Sequence, residues 1–154
     1  MNKKAGTFKV IENWKIDTVD AYNGSVLSSE EFCNTIVNNG LERVARLLIG
    51  NSSTYFRAIG IGIGTNLVSS TDTQLQTEYE RALATLTYVA NYQAQFTHTF
   101  TFGSGVSEAI TEAGIFDSST VTGSTMLART TFAAKNVSNS VSLIVTATIT
   151  ISRD

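Results

Sequence analysis

Apolar and polar residues alternate along most of the second half of the chain. In residues 93–102, Phe96, His98, Phe100 and Phe102 share one face, with threonines between them. Residues 141–152 alternate in the same way, and Ser or Thr occupies most of the polar positions. A period of two is typical of a β-strand that buries one face. We therefore predict strands in both segments.

Weaker alternation predicts further strands, at 7–16, 57–65, 79–90, 110–117 and 125–132. Residues 26–37 are either another extended stretch or the approach to a helix. One segment has helical spacing instead, with apolar residues at Leu41, Val44, Ala45, Leu47 and Leu48. Asn38-Asn39-Gly40 precedes this segment and Gly50-Asn51 follows it. The pattern predicts one short α-helix, at about residues 40–49.

Many short strands with one helix indicate a mainly β protein, an antiparallel β-sandwich or barrel. The length of 154 residues suits one domain. We expect residues 1–16 to form an N-terminal extended arm or strand. Residues 17–154 then form a single β-rich domain.

Residues 59–64 alternate isoleucine with glycine. A strand face without side chains lets another backbone, or the helix, approach closely. The run is not a nucleotide-binding loop, because the third glycine comes one residue too early for the dinucleotide fingerprint and the P-loop lysine is missing. We interpret it as a glycine-faced strand.

Charged residues make up only 16% of the chain, against roughly 25% in average proteins. Such a surface suits a protein that packs against copies of itself or against neighbours. The net charge is −2, without a concentrated basic patch, so we expect no nucleic-acid partner. No apolar run is long enough to span a bilayer, so we expect no membrane partner either.

Few residues could carry chemistry. His98 is the only histidine, which argues against a catalytic triad or a histidine-rich metal site within one chain. Cys33 has no basic neighbour, and we expect a buried, inert thiol. The carboxylates are scattered. We therefore predict no enzyme activity, no catalytic residue, no cofactor and no metal.

Glu112 is the most informative carboxylate. Strand alternation places it on the same face as Ile110 and Phe116, so we expect it to be half-buried. A buried carboxylate needs a cationic partner, and Arg81 and Arg129 are the candidates. We interpret this group as a structural ion pair.

Two segments are candidates for contact with other subunits. The first is the N-terminal segment, with Phe8, Val10 and Trp14; we expect that deleting residues 1–16 abolishes attachment and leaves the domain folded. The second is strand 141–152, with Thr146, Thr148 and Thr150. A long strand of this kind invites aggregation at a sheet edge, and pairing with another subunit would prevent it.

Several motifs together resemble structural proteins of tailed-bacteriophage virions. They are Ala-Ile-Gly-Ile-Gly-Ile-Gly-Thr at 58–65, Ser-Thr-Asp-Thr-Gln-Leu at 70–75, Glu-Tyr-Glu-Arg at 78–81, the Phe-rich strand 96–102, Ile-Thr-Glu-Ala-Gly-Ile-Phe-Asp at 110–117 and Met-Leu-Ala-Arg-Thr-Thr-Phe at 126–132. The resemblance implies a non-enzymatic virion protein, made in the host bacterial cytoplasm. It also implies self-association, with a trimer as the natural form, and contact with the major capsid protein or tail proteins.

The position in the virion stays open at this point. A self-contained module of this size favours capsid decoration, and a tail collar, baseplate or fibre-attachment protein is the alternative. A hypothesis of another class is a carbohydrate-binding β-sandwich module. Its sugar-stacking faces would come from Trp14 and from the five tyrosines, Tyr22, Tyr55, Tyr79, Tyr88 and Tyr92.

Overall fold

A computed structural model describes residues 8–153, with only the backbone described for Phe8. The described residues form ten strands and one helix. In chain order these are β1 Phe8–Asp20, β2 Val26–Cys33, β3 Thr35–Ile36, α1 Asn38–Leu48, β4 Ala58–Gly62, β5 Glu78–Leu83, β6 Thr85–Tyr88, β7 Gln93–Phe100, β8 Ser107–Phe116, β9 Met126–Ser138 and β10 Val141–Arg153. The prediction of a mainly β protein with one short helix is confirmed.

The strands form two antiparallel layers. The first layer has the order β2-β1-β10-β7-β6, and the second has the order β3-β9-β8-β4-β5. One backbone pair, Val141 with Ser138, joins the layers where β9 turns into β10. The hydrogen-bonded strands do not close into a barrel. Of the two predicted architectures, sandwich and barrel, the structure is therefore sandwich-like.

The chain also crosses between the layers at both lateral edges. At Asn34, between β2 and β3, the side-chain Nδ2 donates to Thr130 Oγ1 at 2.9 Å. At Ala84, between β5 and β6, the backbone N–H donates to the Arg57 carbonyl at 2.8 Å. Strands that switch layers at bends form the corners of such sandwiches.

The core lies between the two layers. Trp14 and Ile16 of β1 and Val145 of β10 face Ile59 of β4 and Ile115 of β8, and all five are fully buried. The alternation of apolar and polar residues that predicted the strands therefore follows this interior.

Helix α1 packs over β9. A Cβ added to Gly40 would lie 2.4 Å from the Leu127 carbonyl oxygen, so this position admits only glycine at the observed separation. Leu41 and Val44, one turn apart, face an apolar cleft beside β9. The sequence predicts another backbone or the helix as the close neighbour of the glycine-faced strand. The helix is not that neighbour, since it lies on β9.

Residues 8–16 belong to the sheet and not to a detached arm. They form the first part of β1, which pairs with β10 on one side and β2 on the other and continues to Asp20. Deletion of residues 1–16 removes Trp14 and Ile16, which are fully buried in the core, so the structure argues against the expectation that the remaining domain stays folded. Residues 1–7 lie outside the described part of the chain.

Candidate functional site

The structure brings two of the three predicted ion-pair residues together. Arg129 of β9 donates from Nε to Glu112 Oε2 of β8 at 2.9 Å. Glu112 is fully buried, more than the half-burial that we expected. Three backbone N–H groups also donate to its carboxylate, from Gly64 at 2.9 Å, Gln76 at 3.0 Å and Thr77 at 2.8 Å. Four donors thus compensate for the lost hydration of this charge.

The glycines at the end of β4 and just after it, Gly62 and Gly64, make room for this carboxylate. A Cβ on Gly62 would lie 2.6 Å from Glu112 Oε1, and a Cβ on Gly64 only 2.4 Å from it. Both distances are well inside van der Waals contact. The close approach that the sequence predicted therefore involves the side chain of Glu112 as well as a backbone group. The carbonyl oxygen of Thr77 would lie 2.4 Å from a Cβ on Gly62.

Arg129 extends the network to the loop between β4 and β5. Its Nη1 lies 2.8 Å from Asp72 Oδ2, and its Nη2 donates to the Asn66 carbonyl at 3.2 Å. Asp72 Oδ2 also accepts the Ser69 N–H at 2.9 Å. Glu112 and Arg129 together hold residues 64–77, which are largely irregular in structure, against β8 and β9.

Arg81 has a different partner. Its Nε and Nη2 donate to the two carboxylate oxygens of Glu78 at 2.8 and 2.6 Å. The guanidinium lies over the ring of Phe116, 3.4 Å from its centroid, and Nη1 donates to Ser124 Oγ at 2.6 Å. Pairing of Arg81 with Glu112 does not occur, because Arg81 points to the β8–β9 connection.

Asp117 is a structural residue that sequence reasoning missed. Its Oδ1 accepts the Thr125 N–H at 2.8 Å, which closes the β8–β9 connection. Its Oδ2 lies 2.8 Å from Arg43 Nη1, and this ion pair ties α1 to the end of β8. The only sequence signal was its position directly after a buried strand.

A second buried carboxyl lies on β1. Glu12 faces inward beside Trp14 and is 2% exposed. The indole Nε1 donates to Glu12 Oε1, while Oε2 has no hydrogen-bond partner among residues 8–153. Burial raises the pKa of Glu12 from its ordinary 4.5 to about 8, because the charged form loses its hydration. Sequence reasoning missed this group.

The predicted interface residues of the N-terminal segment divide into three cases. Trp14 is fully buried, so its assignment to an intermolecular interface is wrong, and it cannot serve as a sugar-stacking face either. Val10 is half-buried and lines the apolar cleft. The side chain of Phe8 lies outside the described part of the structure.

The interface threonines lie on a different surface. Strand β10 is central, paired with β1 and β7, so it does not lie at a sheet edge and has no need of another subunit as a pairing partner. Thr146, Thr148 and Thr150 are half-buried on the outer face of the first layer. Together with their cross-strand neighbours on β7 and β6 they form a surface without charge, which we call the threonine face: Thr146, Thr148, Thr150, Gln95, Thr97, Thr85 and Thr87. On the other side of β10, Lys15 of β1 pairs with Thr146 and borders this surface.

The two lateral edges of the first layer differ in charge. Strand β2 carries Glu30 and Glu31, and Glu30 lies 2.6 Å from Lys135 Nζ of β9. Strand β6 carries no charge, all four of its residues are exposed, and β7 is its only pairing partner in the described chain. It lies within residues 82–107, which include no Asp, Glu, Lys or Arg. An uncharged, exposed edge of this kind favours pairing with another strand.

Two concave surfaces lie near the helix. The apolar cleft, of about 290 Å³, lies between α1 and strands β1, β9 and β10. A polar groove of about 800 Å³ lies on the other side of α1, and Arg43 and Arg46 line it together with Ser and Thr side chains. Both arginines are already engaged, Arg43 with Asp117 and Arg46 with Glu42. Aromatic residues are not among those that line this groove.

The remaining candidates occupy ordinary positions. His98 is half-buried and packs edge-on against Phe100, with ring centroids 4.6 Å apart. Cys33 is exposed, so the expectation of a buried thiol is wrong. Residues 8–153 contain no cluster of three His, Cys, Asp or Glu side chains arranged to hold a metal ion.

The one helix within the described range is too short to cross a membrane.

Comparisons of the chain with protein-family models, with curated proteins and with solved structures find no match.

Proposed function

We propose that this chain is a non-enzymatic structural protein of a tailed-phage virion, a decoration protein that binds the outer surface of the capsid. The observation that carries the proposal is that charged residues of the motifs have structural partners. Glu112, Asp117 and Arg129, from the motifs that resemble virion proteins, form hydrogen bonds and ion pairs with other residues of the same chain. They hold loops in place, which is the task of a scaffold.

The surface supports the same function. The chain presents the threonine face, and its charged residues are few. A decoration protein attaches by burying its surface across neighbouring shell subunits, where packing matters more than charge. This surface suits that kind of contact.

A tail collar, baseplate or fibre-attachment protein would use the same surface at another place in the particle. Addition of the purified chain to particles from a phage deleted for its gene separates the two locations. We expect the chain to sediment with isolated capsids and not with isolated tails, while heat-unfolded chain sediments with neither. Binding to tails alone would select the tail alternative, and binding to neither would overturn the proposal.

The carbohydrate-binding alternative has weaker support. Trp14 is buried, and none of the described residues that line the polar groove is aromatic. The five tyrosines are all exposed, from 38% at Tyr79 to 78% at Tyr22. Tyr88 and Tyr92, 72% and 67% exposed, lie at the two ends of the β6–β7 turn, and we take them as the first sugar-stacking pair to test. We expect no hits on a glycan array. A hit lost in a Tyr88→Ala, Tyr92→Ala variant would instead establish the binding-module function.

A further inference from the structure

The lateral edges of the two layers are protected to different degrees. Strand β2 carries Glu30 and Glu31, and β5 carries Glu78, Glu80 and Arg81. Charges on an edge strand hinder the approach of a second strand, because pairing would remove them from water. Strand β6 lacks such charges. The remaining edge strand, β3, is also uncharged but has only two residues. Strand β6 is therefore the edge most open to pairing.

The hydrogen-bond phase of β6 shows which backbone groups are available. The Val89 N–H donates to the Gln93 carbonyl at 3.1 Å. Bonded pairs alternate in an antiparallel ladder, so in the observed register Thr87 and Thr85 also direct their backbone groups towards β7. Leu86 and Tyr88 consequently direct theirs towards the open edge.

We propose that two copies of the chain pair antiparallel through their β6 edges, about a two-fold axis at Thr87. The inference goes beyond the proposed function, since it concerns the self-association that the resemblance to virion proteins implies. It holds whether the protein binds the capsid or the tail.

The position of the axis follows from the geometry. Opposite residues in a sheet have their side chains on the same face, and a two-fold axis perpendicular to the sheet keeps each side chain on its face. The axis must therefore lie midway between the two strands at a level where one residue is opposite its own copy. With the axis at Thr87, Leu86 of each copy pairs with Tyr88 of the other. These are the residues whose backbone groups face outward, so four backbone hydrogen bonds form. Leu86 and Tyr88, which are 43% and 72% exposed, also gain apolar contact across the axis.

The strand of a second copy that fits best against β6 is its own β6. Pairing of β6 with β2 of another copy would remove the Glu30–Lys135 ion pair from water. Such head-to-tail pairing would also leave edges open and produce filaments, whereas β6 with β6 closes after two copies. The pairing therefore predicts a dimer, which differs from the trimer implied by the resemblance.

Sedimentation of the purified full chain at micromolar concentration tests the pairing. We expect a mass twice the 16.6 kDa of one chain. Thr87→Lys places two like charges opposite each other at the axis and should weaken the dimer by about tenfold or more. Val26→Lys puts the same charge on the exposed end of β2 and should leave the dimer unchanged. A wild-type monomer or trimer would overturn the pairing, as would a Thr87→Lys variant that dimerises normally.

A disulfide trap tests the register independently of stability. Opposite residues at the axis form a non-hydrogen-bonded pair, with Cα atoms about 4.5 Å apart, which lies within disulfide range. In a Cys33→Ser background, Thr87→Cys should cross-link into a dimer on mild oxidation. The wild-type chain, whose exposed Cys33 lies on the β2 edge, should not cross-link. Cross-linking through Cys33 but not through position 87 would contradict the proposal, and neither result depends on attachment to a virion.

Discussion

Glu112 and Glu12 both lie on long strands, and both are almost fully buried. Glu12 faces the interior between the layers, whereas Glu112 lies on the opposite face of the second layer, beneath loop 64–77. Their surroundings differ. Glu112 receives four N–H donors, one of them from the guanidinium of Arg129, and its charge is balanced. Glu12 receives one indole N–H, and its Oε2 has no partner within residues 8–153. The comparison shows that burial alone does not decide what a carboxyl contributes, because its partners determine whether the charged form is stable there.

Removal of the Glu112 carboxylate should have the largest effect. Glu112→Ala leaves Arg129 without one of its two carboxylate partners, and three backbone N–H groups lose their acceptor. We expect a loss of about 3–5 kcal/mol in the free energy of unfolding, measured by urea denaturation. The matched control is Glu80→Ala at an exposed position of β5, which should cost about 0.5 kcal/mol or less. Equal costs for the two variants would remove Glu112 from its structural role.

Gly64 offers a second way to disturb the same network. Gly64→Ala places a Cβ 2.4 Å from Glu112 Oε1 and 2.5 Å from Gln76 Cβ. We expect a loss of about 2–3 kcal/mol, since the carboxylate or the loop must shift. Gly103→Ala, where no atom lies within 4 Å of the added Cβ, is the control and should be nearly neutral.

A double-mutant cycle distinguishes a clash from a general backbone effect. If Gly64 is required because of the carboxylate, Gly64→Ala should cost clearly less in the Glu112→Ala background than in the wild type. Additive costs would show that the glycine is needed for another reason.

Glu12 should make the free energy of unfolding depend on pH. Its pKa is higher in the folded state, about 8, than the ordinary 4.5, so the folded state holds a proton that the unfolded state releases between these values. The contribution of Glu12 to stability is therefore fully present below pH 4.5 and falls by about 1.4 kcal/mol per pH unit up to about pH 8. Urea denaturation across this range should show a decline that Glu12→Gln lacks. Parallel profiles for the two proteins would mean that Glu12 is not held in a neutral form.

The sequence predicted the strands well because burial in a two-layer fold imposes a period of two. The same parity placed Glu112 on one face of β8 with Phe116, and it identified Arg129 as one of the two candidate partners. In the structure this face is opposite Ile115 and the core between the layers. Parity could not predict the full burial of Glu112, because the cover comes from a polar loop, residues 64–77, whose path depends on backbone hydrogen bonds to that carboxylate.

The errors concern neighbours that are distant in sequence. Trp14 was assigned to an interface because an N-terminal strand can pair in the same chain or in another, and local pattern does not distinguish these cases. For the same reason the pattern of β10 leaves open whether the strand lies at an edge, and the structure places it between β1 and β7 within the chain. Glu12 was missed because its burial arises from contacts between layers.

The copy number of this chain in purified virions, measured relative to the major shell protein, tests the central claim most directly. A decoration protein predicts one copy per shell subunit, or a simple fraction of that number. A handful of copies per particle would place the chain in the tail or collar instead. Its absence from the virion would contradict the structural function altogether.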